Sequence, residues 1–270
     1  MKKRVIAASA LLPLLLLVVL FAPKVITAVL FGLMASVGSY ELLHATGYVK
    51  KTRLIVYCAI MAFAVAMWSY FDIKDIWAHL GVVVFFVVLF AEMMASEMQL
   101  SFEKVAVCFA AGILIPFLLT SIVRIHTTEN GRFFVLIPFV LAFLSDTGAY
   151  FAGISIGKHK LAPTISPKKT IEGVFGGIAG AMIGMVLYCL VLNLAFDFEV
   201  NYLYALIYGA VGSVGAVFGD LCFSVIKRQT GIKDYGNLIP GHGGILDRFD
   251  SMMVVGPLSQ ILLILLPVAV

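Results

Sequence analysis

Charge is what this sequence has least of. Only 13% of its 270 residues are charged, against 62% that are hydrophobic. A soluble domain carries about 25% charged residues and about 45–50% apolar ones. A globule of this composition has too little polar surface to cover a core in water, and the mean hydropathy of +1.06 says the same. A soluble enzyme, a disordered chain and a nucleic-acid-binding protein are excluded, and the solvent for most of this chain is lipid. Cysteine is scarce too. The four present, Cys58, Cys108, Cys189 and Cys222, have no C-x-x-C spacing and lie in or at the end of apolar runs. They read as small buried hydrophobes rather than as disulfides or metal ligands. Also missing are the ~10-residue segments of alternating polarity that mark a membrane barrel.

What is present is a series of long charge-free runs. They cover residues 5–23, 25–40, 54–71, 76–91, 105–123, 173–196, 200–219 and 251–270. Each is near or above the length needed to cross a hydrocarbon core, about 20 residues as a helix. Backbone in lipid must satisfy its own hydrogen bonds, so these runs are expected to be helices. A ninth apolar stretch, 133–157, is interrupted by Asp146. The fold class expected is all-α: a polytopic integral membrane protein of about nine transmembrane helices. With the N-terminus inside, fifteen of the nineteen Lys and Arg fall on cytoplasmic segments, and only Lys24, Lys74, Arg124 and Arg132 fall outside. That asymmetry predicts an N-in/C-out orientation. The net charge of +4 then belongs to loops facing anionic headgroups. The opening Met-Lys-Lys-Arg and the apolar run behind it lack a small-residue cleavage site, so a retained first helix is expected.

No separate soluble domain is expected. Residues 1–125 read as N-terminal transmembrane scaffold, with lipid access and dimer contacts as their roles and an amphipathic interfacial stretch at 92–104. Glu41 and His44 read as the end of an interfacial helix beside a basic loop. Residues 126–270 read as the catalytic region, with cytoplasmic loops at 158–172 and 227–250. Gly176, Gly180 and Gly184 recur on one helix face, and Gly212, Gly215 and Gly219 do much the same further on. Small residues at this spacing let helices approach closely and are read as packing.

Polar chemistry gathers in the second half. Asp146 is ionisable inside a span, which makes it a functional candidate, with Tyr150 and Gly153 on the same helix face. The structural alternative is pairing with a basic residue of a neighbouring helix. Asp220, Ser224 and Lys227 line one face leading to the cytoplasm, suited to a cation and a phosphate together. The loop from Lys227 to Asp250 is the most polar stretch. Pro240, Gly241, Gly243 and Gly244 force irregular backbone around His242. Asp247, Arg248 and Asp250 then open the last helix, with the two carboxylates three residues apart and able to face one way. A helix N-cap explains one of them. It leaves the Gly-His-Gly-Gly run and the crowding of Lys227, Arg228, Lys233 and Arg248 without a reason. In 158–172, Ser166, Lys168, Lys169 and Thr170 precede a helix start and make a phosphate site, although loops on the positive side are routinely basic. Magnesium is held by one or two carboxylates plus substrate phosphates, and phosphoryl-type transfer needs positioning and charge neutralisation. The residues thus point to an enzyme joining a soluble phosphate donor to a membrane lipid.

The segment from Ser224 to Asp250 carries S-x-x-K-R, then K-D, then P-G-H-G-G, then D-R-x-D. It resembles the signature of phosphatidate cytidylyltransferases (CDP-diacylglycerol synthases), with every fixed position matched over 27 residues. Ser145-Asp146 with Tyr150 and Gly153, and the run Ser166 to Gly173, also resemble segments of that family. The likeness is strong over about 145–250, and the first half matches only as a polytopic membrane region. It implies that CTP and phosphatidic acid give CDP-diacylglycerol and pyrophosphate, with Mg²⁺ and a possible second cation, at the cytoplasmic face of the inner membrane. A homodimer is implied, and no nucleic-acid partner. Carried over, Asp220 and Asp247 are the leading metal ligands, with Asp146 a further candidate. Asp220, Asp247, Lys227, His242 and Asp250 form the catalytic set. Lys168, Lys169, Arg228, Lys233, Arg248, Ser224 and Ser166 bind substrate phosphates.

Two other functions use similar parts. A CTP-dependent polyprenol or phytol kinase would release CDP rather than pyrophosphate. An ion-coupled transporter would use intramembrane Asp146 and Asp220, but transporters usually show broken helices in two similar halves, and here the polar residues sit in one half.

Overall fold

The computed structural model describes residues 13–71, 75–97, 99–239, 241 and 243–269. Its architecture is that of an all-α polytopic membrane protein. Seven helices among the described residues are long and apolar enough to cross a bilayer. Six of them are α2 (Lys24–Ala45), α3 (Thr52–Phe71), α4 (Asp75–Ala95), α9 (Ile137–Ser155, entered through the short α8, Gly131–Phe134), α10 (Ile171–Phe196) and α11 (Tyr202–Gln229). The seventh runs over Phe102–Thr127. The first expected span is helical over 13–21, here α1, and its residues 5–12 lie outside the described residues. The last is the shorter α13 (Met252–Leu265), preceded by the four-residue α12 (Leu246–Phe249).

The Phe102–Thr127 span is not one regular helix. It is built of α5 (Phe102–Phe109), a wider π turn at Ala110–Leu114, α6 (Ile115–Leu119) and α7 (Ser121–Thr127). Pro116 lacks the N–H that would bond back into the preceding turn. The chain answers by widening, so that the Ile115 N–H reaches five residues back to Ala110. Single π turns of this kind are common breaks in long helices.

The elements sort into two compact units. One comprises Met1–Glu129 with Gln229–Arg248, the other Asn130–Arg228 with Phe249–Val270. In the first, α2 and α3 pack along their length. The Ser36 hydroxyl donates to the Ala59 carbonyl across the pair at 2.8 Å. Cys58 and Cys108 are fully buried, and all four cysteines are free thiols, as read from their placement.

The second unit is held by glycines. A Cβ on Gly148 of α9 would strike the Gly176 carbonyl, and one on Gly180 would sit 2.7 Å from the Leu144 carbonyl. The backbones of α9 and α10 therefore touch at Gly176 and Gly180, and Gly184 makes room for the Leu144 side chain, the packing role expected for the stripe. Ser145 and Ser213 pair at 2.7 Å between α9 and α11. Ile137, Leu141, Met185, Tyr208 and Val255 fill the core. Phe175, Leu194 and Ile264 lie exposed at 68%, 73% and 72%, surface that only an apolar phase covers without penalty.

One element differs from expectation. The polar loop at 158–172 contains an antiparallel hairpin, β1 (Lys160–Ala162) against β2 (Ser166–Thr170). Its base is tied by Glu172, whose carboxylate accepts from the Lys158 and His159 N–H groups and meets His159 Nδ1 at 2.6 Å. The Thr170 hydroxyl caps α10 by accepting from the Gly173 N–H at 3.1 Å. The five residues of β2 lack apolar alternation, so no strand signal was legible there.

Candidate active site

In the second unit, α11 carries Asp220, Ser224, Lys227 and Arg228 over its last turns, with the spacing that puts the first three on one face. Ser224 and Lys227 are buried. The Ser224 hydroxyl lies 3.5 Å from Asp220 Oδ1, at the outer limit of a hydrogen bond. Gly219 lets the helix close on the turn that begins the last span, since a Cβ there would meet the Asp250 carbonyl at 2.8 Å. This approach brings the Asp220 and Asp250 carboxylates together. Burial first, then the neighbouring Asp220 charge, push the Asp250 carboxyl up to about 7, against the opposing pull of the Ser251 N–H and the Lys227 ammonium. Two carboxylates held close and largely out of water form a site that gains from added positive charge.

The hairpin supplies some of that charge. Successive strand residues point to opposite faces, so β2 turns Lys169 inward and leaves Lys168 exposed. The Lys169 ammonium pairs with Asp220 Oδ2. Arg228 donates from Nε to the Ile165 carbonyl at 3.1 Å and so braces the hairpin tip against α11. Ser166, at the start of β2, is half-buried. The unit thus assembles Asp220, Asp250, Lys227, Ser224 and Lys169, with Arg228 beside them.

Asp146 sits on the exposed face of α9. Among the described residues no three His, Cys, Asp or Glu side chains gather closely enough to hold a metal ion. The Asp220 and Asp250 carboxylates meet as a pair.

The first unit holds the remaining signature residues. Lys233 and Arg248 are exposed, and His242 lies outside the described residues. Asp247 is buried, and its Oδ2 accepts from the Tyr235 N–H at 2.7 Å and the Gly244 N–H at 3.0 Å. Gly241 and Gly243 have φ of +77° and +86°, a left-handed backbone that residues with a Cβ rarely adopt. The loop therefore folds back on its own aspartate.

Sequence reasoning missed Glu41. Read as an interfacial helix end, it is instead 3% exposed. Its Oε1 and Oε2 accept from the Ile245 and Leu246 N–H groups, each at 3.0 Å. Its partners are backbone groups, which leave no trace in side-chain patterns. The one available signal was the pair Gly236 and Gly244, each too close to the Glu41 carboxylate for a Cβ to fit.

Fold and site together define a class: a multi-pass membrane protein with paired carboxylates among lysines where its spans meet polar loops. Comparison with known proteins narrows it. Residues 2–266 match the cytidylyltransferase family, and the chain belongs to that family. The phosphatidate cytidylyltransferase of Staphylococcus epidermidis is 48% identical over 139 residues, 52% of this chain and 52% of that protein. That of Staphylococcus aureus is 46% identical over 139 residues, with the same shares. The chain thus spans about half the length of these staphylococcal relatives. The phosphatidate cytidylyltransferase of Bacillus subtilis is 32% identical over 274 residues, 98% of each chain.

Proposed function

We propose that this protein transfers a cytidylyl group from CTP to phosphatidic acid, forming CDP-diacylglycerol and pyrophosphate. The observation that carries the reading is the Asp220–Asp250 pair with Lys169, Lys227 and Ser224 around it. Support comes from the signature over Ser224–Asp250 and from relatives bearing the name of this activity.

In the proposed reaction a phosphate oxygen of phosphatidate attacks the α-phosphorus of CTP. A new P–O bond forms there, the bond to the β-phosphate breaks, and pyrophosphate leaves. The nucleophile is anionic at neutral pH, so no strong general base is required. The work of this chain is orientation and charge neutralisation. Lys169 and Lys227, fixed beside the carboxylates, take phosphate oxygens, and Arg228 holds the hairpin that carries Lys169. Lys168, Lys233, Arg248 and Ser166 are proposed as further phosphate contacts, and His242 as shaping the glycine-rich loop.

The donor set fits Mg²⁺, a hard cation that takes one or two carboxylates and fills its remaining positions with water and substrate phosphate. Asp220 and Asp250 offer those carboxylates, and the signature alone proposes Asp247 as a further ligand. Bound there, Mg²⁺ would polarise the phosphate under attack and neutralise the leaving group. The same reading places loops 158–172 and 227–250 at the cytoplasmic face of the cell membrane. Nine spans and N-in/C-out orientation are supported by fifteen Lys and Arg inside against four outside. A homodimer is proposed from the resemblance alone.

The test is the product. Purified protein given CTP, phosphatidate and Mg²⁺ is expected to release one pyrophosphate per CDP-diacylglycerol. Release of CDP with phosphorylated lipid would overturn the reading in favour of a kinase. A second expected outcome separates the two lysines of β2. Lys169→Ala should raise the KM for CTP on the order of tenfold, the worth of one charge-assisted contact. Lys168→Ala should change it less. Equal effects in steady-state kinetics would contradict the inward placement of Lys169.

A further inference from the structure

We propose that Glu41 is a positioning residue for Asp247. The proposal rests on the reading of Asp247 as a site residue. Asp247 reaches its orientation through a short piece of irregular backbone, 243–245, that leads into the four-residue α12. Two carboxylates hold that backbone. Asp247 takes the N–H groups of Tyr235 and Gly244, and Glu41 takes the next two along the chain, Ile245 and Leu246. Three consecutive N–H groups, 244 to 246, are thus aimed at acidic side chains on two different elements.

The fit is close. Glycine is required at Gly236 and Gly244 because a methyl at either would land on the Glu41 carboxylate. Gly38, one turn earlier on α2, meets the Leu246 side chain in the same way, with a Cβ placed 3.2 Å from its Cδ2. Hence α2 presents a shaped seat for the residues on either side of Asp247: a small surface for Leu246 and a buried anion for the two amides.

A buried carboxylate accepting two backbone N–H groups makes strong, short-range bonds that do not slide. With Glu41 in place, the 245–246 peptide has one position and Asp247 inherits it. Without it two buried N–H groups lose their acceptor, and the loop must shift to find water. A group that orients a ligand side chain in this way typically matters by about 10–100-fold in activity or metal affinity. Glu41 touches neither nucleotide nor lipid in this account and acts only through the loop.

The experiment uses the full chain in detergent or nanodiscs: wild type, Glu41→Gln, Glu41→Ala, Asp247→Asn and the Glu41→Ala/Asp247→Asn double variant. Glu41→Ala is expected to lower kcat on the order of 10–100-fold and to raise the Mg²⁺ concentration for half-maximal rate, with the KM for phosphatidate unchanged. Glu41→Gln should recover part of kcat, since its one carboxamide oxygen accepts from one of the two N–H groups. The double variant should be no slower than Asp247→Asn alone, because Glu41 acts through Asp247. Amide hydrogen exchange in peptides covering 243–247 should quicken in both Glu41 variants and stay unchanged elsewhere.

Wild-type kcat and Mg²⁺ dependence in a folded Glu41→Ala protein would overturn the proposal. So would a rate loss matched by faster exchange over the whole chain, with Glu41→Gln no better than Glu41→Ala. The failures of the two readings are distinguishable. A wild-type protein that turns over no CTP removes the site reading, whereas unchanged exchange at 243–247 in the variants removes the role of Glu41.

Discussion

Replacing Asp220 by asparagine or alanine is expected to abolish CTP- and Mg²⁺-dependent formation of CDP-diacylglycerol, by a factor of at least about a thousand. Asp220 is the centre of the cluster on α11. It pairs with Lys169, stands beside Ser224 and shares its surroundings with Asp250. Its loss removes one of the two carboxylates proposed to hold Mg²⁺ and also frees Lys169 from its anchor. Electrostatic stabilisation of the transferring phosphate amounts to several kcal/mol in such sites, and each ~1.4 kcal/mol is tenfold in rate. The variant should remain folded. The carboxylate pair is a source of repulsion, so removing one member relieves the other. The measurement is turnover of labelled CTP by purified variant alongside its unfolding temperature. Asp247→Asn belongs in the same series and should be comparably slow. Near-normal turnover in either variant would end the assignment of that carboxylate to the site.

A second large effect is expected on stability and not on chemistry. Gly148→Val should prevent α9 and α10 from docking. The first added carbon would lie well inside contact distance of the Gly176 carbonyl oxygen, and the nearest atoms are all main chain, which cannot turn aside. Overfilling a core with side chains around it already costs about 1–3 kcal/mol. Here the obstacle is main chain on a partner helix, so the cost should exceed that range and consume much of a marginal stability of about 5–15 kcal/mol. The expected result is loss of monodisperse protein after extraction, or a sharp drop in unfolding temperature. Phe175→Leu, on a surface facing lipid, should stay within about 0.5 kcal/mol of wild type. A Gly148→Val protein that unfolds at the wild-type temperature would show that the helices are not in backbone contact.

Much of this arrangement was legible in the sequence, for a physical reason. Lipid forbids unpaired backbone and uncompensated charge, so the spans declare themselves as charge-free runs. Seven of them stand as membrane-length helices, displaced by a few residues where a charged end continues the helix, as Lys227 and Arg228 do on α11. The Asp220, Ser224 and Lys227 face followed from helical periodicity alone. What was not legible depends on backbone. The inward turn of Lys169 over Lys168 needs the phase of a strand whose residues carry no apolar alternation. The pairing of Asp220 with Asp250 needs the close approach at Gly219. Glu41 was read as an interfacial helix end because nothing nearby in sequence is its partner.

The seat of the loop on Glu41 also has a consequence in time. Its two hydrogen bonds join residues 204 and 205 positions apart. A ribosome adding about 5–20 residues per second needs roughly 10–40 s to make the intervening chain. Throughout that interval α2 is already made, with its acidic side chain awaiting amides not yet synthesised. Completion of the loop therefore comes long after α2 is made. A nascent chain halted before Ile245 can hold most of its spans and still lack a seated Asp247. Timing of this kind keeps the loop from seating until the helices between α2 and α12 have been made.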